Sequence, residues 1–128
     1  MNKTEKIKTS GGTVFLQPDG IIRMEISKTD EITLENVNDF LAAVKVIGGG
    51  KSFCNLIIFE KFVQVDKESR EYTASEEANI YTIAEALVIK SSALKIVGNF
   101  YIQVNKPTRP TKIFTNEEDA TKWLKTFL

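Results

Sequence analysis

Histidine is absent from the 128 residues, and cysteine and tryptophan occur once each. Without histidine the commonest general base is missing, together with Ser-His and Cys-His dyads and most zinc sites. The single cysteine, Cys54, has no partner for an intrachain disulfide. It lies in the apolar run Phe-Cys-Asn-Leu-Ile-Ile-Phe, so a buried, inert thiol is expected. Seventeen Lys and Arg balance seventeen Asp and Glu, which leaves no bulk charge to draw the chain to nucleic acid or to a membrane surface. No apolar run approaches the roughly 20 residues that cross a bilayer. Residues 1–10 are lysine-rich and polar with no apolar stretch behind them, unlike a secretory signal. A cytoplasmic location is therefore expected.

What is present is ordinary globular chemistry. Hydrophobic residues make up 42% and charged residues 27%, enough for one core but not two. The reading is a loose tail over residues 1–10 and a single domain over residues 11–128. Residues 13–17 and 21–26 read as strands joined at Pro18-Asp19-Gly20, a hairpin. Thr33 is placed to cap a helix by accepting the amide of Glu35 or Asn36. In that helix Val37, Phe40, Leu41 and Val44 fall at i, i+3, i+4 and i+7, one stripe toward a core. Gly48-Gly49-Gly50 ends it. Residues 53–59 are apolar at six of seven positions, the pattern of a strand covered on both faces.

Helix, doubly buried strand, then helix is the rhythm of a parallel crossover. Asp66 caps a short helix to Tyr72. Thr73-Ala74-Ser75-Glu76 reads as a capping box that opens a second helix running to about Ile89, with Ala78, Tyr81, Ala84 and Val88 on one face. Residues 93–97 read as a strand with an exit at Gly98, residues 99–104 as a short helix, and residues 111–114 as a last strand. Thr115-Asn116-Glu117-Glu118 opens a C-terminal helix whose stripe is Ala120, Trp123, Leu124 and Phe127. The fold class is α/β, a mixed sheet of about five strands with helices packed mainly on one face.

Chemical motifs are sparse. Gly48-Gly49-Gly50-Lys51-Ser52 resembles the end of a phosphate-binding loop, but Lys45 stands where the first glycine of that motif belongs. The helix also precedes the loop, so its amides point the wrong way for phosphate. The acidic pairs Glu76-Glu77 and Glu117-Glu118 suit helix starts. Glu68 and Glu71 read as a solvated helix face. None of these patterns implies a catalytic residue, a metal or a cofactor. Charge is unevenly placed: residues 60–85 carry seven acids and three bases, while residues 86–116 carry five bases and no acid. Such segments suit an acidic and a basic surface that recognise a partner protein, or each other in a homodimer. Arg109, between Pro107 and Pro110 on a stiff loop, is the choice for an anion contact.

The order of elements, with the words Lys67-Glu68-Ser69-Arg70-Glu71-Tyr72, Ile96-Val97-Gly98-Asn99-Phe100, Asn105-Lys106-Pro107 and Ile113-Phe114-Thr115-Asn116-Glu117-Glu118-Asp119-Ala120, resembles the SpoIIAA-like (STAS-like) domains of small stand-alone bacterial proteins. The likeness runs from about Gly12 to Leu128. It implies a small mixed sheet related to the STAS domains of anti-sigma-factor antagonists and to the lipid-binding CRAL-TRIO fold. In phospho-switched antagonists an Asp-Ser pair enters the helix after the buried strand. Here Asp66 matches the Asp, but Lys67 stands at the serine, and lysine cannot carry a phosphate ester. Ser69, two residues on, is half a turn around the helix. A phospho-switch of the usual kind is therefore not expected.

These readings favour a non-enzymatic regulatory or protein-interaction module, with Asp66, Lys67, Ser69, Arg70 and Arg109 on the contact surface. The alternative is a protein that binds a small apolar ligand or lipid between helices and sheet, lined by Tyr81, Leu87, Ile89, Phe100, Tyr101 and Ile102.

Overall fold

Turn chemistry sets the first edge of the sheet. In a computed structural model, which describes residues 5–128, β1 (Ile7–Lys8) and β2 (Gly12–Leu16) pair antiparallel, and β2 pairs antiparallel with β3 (Ile22–Ile26). The β2–β3 turn closes as its residues predict. Gly20 takes a positive φ of 87°, and the Ile21 amide donates to the Asp19 carboxylate at 3.1 Å. Residues 1–4 of the expected tail lie outside the described residues, and residues 7–8 form an edge strand instead of loose chain.

Beyond β4 (Glu31–Ile32), Thr33 precedes α1 (Leu34–Gly48). Thr33 and Asn36 form a reciprocal capping box, with the Thr33 side chain on the Asn36 amide as expected, and the Thr33 amide and hydroxyl also donate to Asn36 Oδ1 at 2.9 and 3.1 Å. Gly49, at φ 57°, then ends the helix in the left-handed region that favours glycine. The chain continues through β5 (Phe53–Phe59), β6 (Gln64–Val65), α2 (Lys67–Ala74), a 3-10 turn (Glu77–Asn79) and β7 (Thr82–Ile89). It closes through α3 (Ser92–Phe100), a π turn (Tyr101–Asn105), β8 (Thr111–Phe114) and α4 (Glu117–Lys125).

Six strands form the main sheet in the order β1-β2-β3-β5-β7-β8, one more than the five expected, while β4 and β6 make a separate parallel pair. The pairings β3–β5, β5–β7 and β7–β8 are parallel. Each is joined by a crossover that contains a helix; these helices, α1, α2 and α3, cover one face of β5 and β7, and α4 covers the other, so both strands are buried on both faces.

Period-two alternation divides the core. Cys54, Leu56 and Ile58 of β5, with Ala84, Ala86 and Val88 of β7, pack beneath Ala120 and Leu124 of α4. The alanines let α4 approach the sheet closely, and at its margin Trp123 meets Phe127 edge-to-face at 4.9 Å and Phe114 at a tilt at 5.7 Å. Each fully buried Leu or Ile contributes about 1.5–3 kcal/mol. The opposite face carries the α1 cluster of Val14, Ile22, Met24, Phe40 and Val44, and beside it Val37, Leu87, Ile89 and Leu94.

Two segments correct the sequence reading. The second helix expected from Thr73 to Ile89 does not form, and α2 ends at Ala74. Ser75 Oγ accepts the Ala78 amide at 3.2 Å, so the Ser75 signal opens a 3-10 turn, and residues 82–89 form β7. Alanine spacing there satisfies a helix, but the same run is also apolar at every position except Thr82 and Glu85, and pairing on both sides with β5 and β8 decides for strand. Residues 93–97, expected as a strand, lie in α3, capped where Ser91 Oγ accepts the Leu94 amide at 3.2 Å. Gly98 is no exit. A Cβ there would lie 2.8 Å from Ile113 Cδ1 and 3.1 Å from Ile89 Cδ1, so its missing side chain lets α3 lie against the sheet.

Candidate functional site

On the three-helix side the core is not filled. A cavity of about 150 Å³ lies between the sheet and α1, α2 and α3. Its floor is every second residue of two adjacent strands: Asn55, Ile57 and Phe59 from β5, and Glu85, Leu87 and Ile89 from β7. Val37, Phe40 and Leu41 of α1 wall one side, and Leu94, Val97 and Gly98 of α3 the other. Of the six cavity residues expected from sequence, Leu87, Ile89 and Tyr101 line it, whereas Tyr81, Phe100 and Ile102 do not.

One end of this apolar space is polar. Asn55 and Glu85 are register partners in the β5–β7 pairing, so both side chains emerge on the same face. Arg109 lies in the loop into β8, one residue before the strand begins at Thr111, and the Glu85 amide donates to the Pro110 carbonyl at 2.9 Å. That link brings Arg109 Nη2 onto Glu85 Oε1. Arg109 Nη1 donates to the Thr73 carbonyl at 2.7 Å and to the Tyr101 hydroxyl at 3.1 Å. Asn55 Nδ2 reaches Thr82 Oγ1 at 3.3 Å and Glu85 Oε2 at 3.5 Å. The π turn delivers Tyr101 to this cluster, closed by the Lys106 amide on the Tyr101 carbonyl at 3.2 Å.

Asn55, Glu85 and Arg109 are only 3%, 7% and 7% exposed. Desolvation opposes the Arg109 charge, but Glu85 and Tyr101 outweigh it and leave its pKa raised. Burial pushes the Tyr101 phenol up, against the pull of Arg109. Two atoms of the cluster, Asn55 Oδ1 and Arg109 Nε, are buried with no hydrogen-bond partner among the described residues. Both residues line the cavity.

The five residues expected on one contact surface are divided between the outside and the inside. Asp66 caps α2 by accepting the Ser69 amide at 2.7 Å, and hydrogen bonding from Ser69 holds its carboxyl below the usual range. Lys67 is exposed, 4.0 Å from Glu71. Arg70 is half-buried and lies 5.5 Å over the Phe100 ring. Ser69 is fully buried, its hydroxyl 3.5 Å from the Ile32 carbonyl. Arg109 does meet an anion, but that anion is the chain's own Glu85, because the loop it stiffens is folded inward over β7. One base of the basic segment and one acid of the acidic segment thus neutralise each other inside the molecule.

Sequence reasoning missed Asn55 and Glu85, although each left a signal. They are the polar interruptions of the two most apolar strands, and a polar side chain in such a place has to be paired or used. Among the described residues no group of three or more His, Cys, Asp and Glu is placed to hold a metal ion, and no helix is long and apolar enough to cross a membrane.

Comparison with solved structures supports the architecture. An uncharacterised protein of the DUF3478 family from Shewanella loihica PV-4, with a SpoIIAA-like fold, superposes with a TM-score of 0.57 at 10% identity. The match covers 94% of this chain and 90% of that one, and the fold here is SpoIIAA-like. A protein of unknown function from Arthrobacter sp. FB24 is 26% identical over 94% of this chain and 97% of that one, with a TM-score of 0.36. No curated protein matches the sequence. Residues 14–128 match the family described as Domain of unknown function (DUF7793), and the chain belongs to that family.

Proposed function

We propose that this domain is a non-enzymatic binding module that takes a compact apolar molecule into the cavity between the sheet and α1, α2 and α3. The observation that carries the reading is the cavity itself: about 150 Å³ of mostly apolar space closed at one end by a buried polar cluster. Protein cores are otherwise packed to the density of organic crystals, and a dry cavity of this size accommodates a benzene-sized guest. No catalytic step is part of the reading. The soft nucleophile of the chain, the Cys54 thiol, lies on the other face of the sheet, where desolvation raises its pKa and keeps it neutral. The proposal places the module in the cytoplasm.

Native mass spectrometry of protein isolated from its own cells tests this reading, with Val97→Phe as the comparison. Val97 lines the cavity, and the larger ring fills it. The expected result is a retained small mass on the wild type that is lost from a folded Val97→Phe. Equal mass on both proteins overturns the reading.

A second reading, contact with a partner protein or a second copy, is favoured by a separate observation. Ile96, Phe100 and Val104 follow one another at i, i+4 and i+8 and are 72%, 46% and 57% exposed, an apolar stripe beside Arg70. Lys67 and Asp66 lie on the neighbouring helix start. Sedimentation and pull-down of Phe100→Ser and Lys67→Glu test it: loss of a bound chain supports contact here, and an unchanged complex opposes it.

A further inference from the structure

Resting on the cavity reading, we infer that the guest is an apolar acid, a compact hydrocarbon body that lies in the cavity and carries a carboxylate bound by Arg70. The chain has three arginines, and two of them hold carboxylates of their own: Arg23 pairs with Glu25 and Glu117, and Arg109 pairs with Glu85. Arg70 has no carboxylate within ion-pair distance among the described residues. Its helix supplies none. The neighbours three before, three after and four after it are Lys67, Thr73 and Ala74, and Asp66, four before it, spends its carboxylate on the Ser69 amide at 2.7 Å.

Arg70 is nevertheless fixed, and one end of it is free. Nη1 donates to the Val65 carbonyl, and the guanidinium lies 5.5 Å from the centre of the Phe100 ring. Its Nε is buried, whereas Nη2 donates to no described residue and is open to solvent. Because Arg70 lines the cavity and is only half-buried, it stands where the apolar space meets solvent.

Charge points the same way. Among the lining residues three are charged, Arg70, Glu85 and Arg109; the last two neutralise each other, and one positive charge remains. That remainder favours an anionic head over a neutral one and repels an ammonium. One guanidinium balances the single charge of a carboxylate, whose two oxygens suit its planar fork; a phosphate monoester carries more charge than Arg70 can balance. The volume of about 150 Å³ limits the body to something near an aromatic ring or a short branched chain.

The test is a calorimetric titration of the full chain at neutral pH with phenylacetate, phenylacetamide and phenethylamine, which share a body and differ in the charge of the head. Phenylacetate is expected to bind at least about tenfold tighter than phenylacetamide, with phenethylamine weakest. Arg70→Gln should erase the advantage of the acid and leave phenylacetamide bound as before. Val97→Phe, which fills the cavity, should abolish binding of the acid. If acid and amide bind wild type equally, if Arg70→Gln keeps the preference, or if a folded Val97→Phe still binds the acid, the inference fails. Phenylacetamide bound by wild type and lost from Val97→Phe leaves the cavity reading standing in each of those cases. If none of the three compounds binds, the cavity reading fails as well.

Discussion

Arg109 and Glu85 form an ion pair across the β7–β8 connection, at the polar end of an apolar cavity on the three-helix side of the sheet, with both residues 7% exposed. The pair joins a loop to a central strand and also supplies the polar end of the proposed ligand site.

Removing one member should cost far more than removing both. Glu85→Leu leaves a guanidinium buried without its carboxylate, and Arg109→Met leaves the reverse; each is expected to lose about 3–5 kcal/mol. The double variant Glu85→Leu with Arg109→Met should recover most of that loss. Urea unfolding of the four proteins measures the coupling, and additive losses would show that the pair does not act as a unit.

On the opposite face, Arg23 of β3 holds Glu117 at the start of α4, with Nη1–Oε1 at 2.5 Å and Nη2–Oε2 at 3.3 Å. The hydrogen bond from Arg23 lowers the Glu117 carboxyl below its ordinary 4.5. Its folded pKa is depressed, so the stabilisation is present above 4.5 and is lost as pH falls through the folded value. Carboxyl-resolved NMR titration should show Glu117 below 4.5 in the wild type and back near 4.5 in Arg23→Leu.

Ser69 is closed to modification in the folded state. Its side chain is buried at the start of α2, and its amide is committed to Asp66. Ser69→Glu buries an unpaired charge and should lose about 3–5 kcal/mol, whereas Ser69→Ala should cost about 1 kcal/mol, the worth of one hydrogen bond. Thermal denaturation of the two variants checks the difference. A phosphomimetic as stable as wild type would contradict this account of α2.

Cys54 should react with thiol reagents only when the core opens. It is fully buried under α4, where its Sγ lies 3.8 Å from the Leu124 carbonyl, and burial raises its pKa from 9.0. Thiol labelling should be slow in buffer and accelerate in parallel with unfolding in urea. Fast labelling of folded protein would place α4 differently.

Much of the fold was legible in the sequence because local chemistry and tertiary packing agree there. The hairpin turn, the α1 stripe, the buried β5 and the capped α4 each show one period and matching boundaries. The stretch from Thr73 to Val97 departs from the sequence reading because Ala84 and Val88 satisfy a strand beneath α4 as well as they satisfy a helical face, and only the neighbours β5 and β8 decide. That error hid the site. With residues 82–89 read as helix, Glu85 was counted as surface acid, and Arg109 had no reason to turn inward. Asn55 was visible as the polar residue of an apolar strand, but its partner was not.

Xenon derivatisation of crystals of this protein tests directly whether the cavity accepts a guest. One xenon atom is predicted against Ile57, Leu87 and Val97, with the protein around it unchanged. Crystals that bind no xenon there, under pressures at which xenon fills apolar cavities of this size elsewhere, would contradict the proposed binding function.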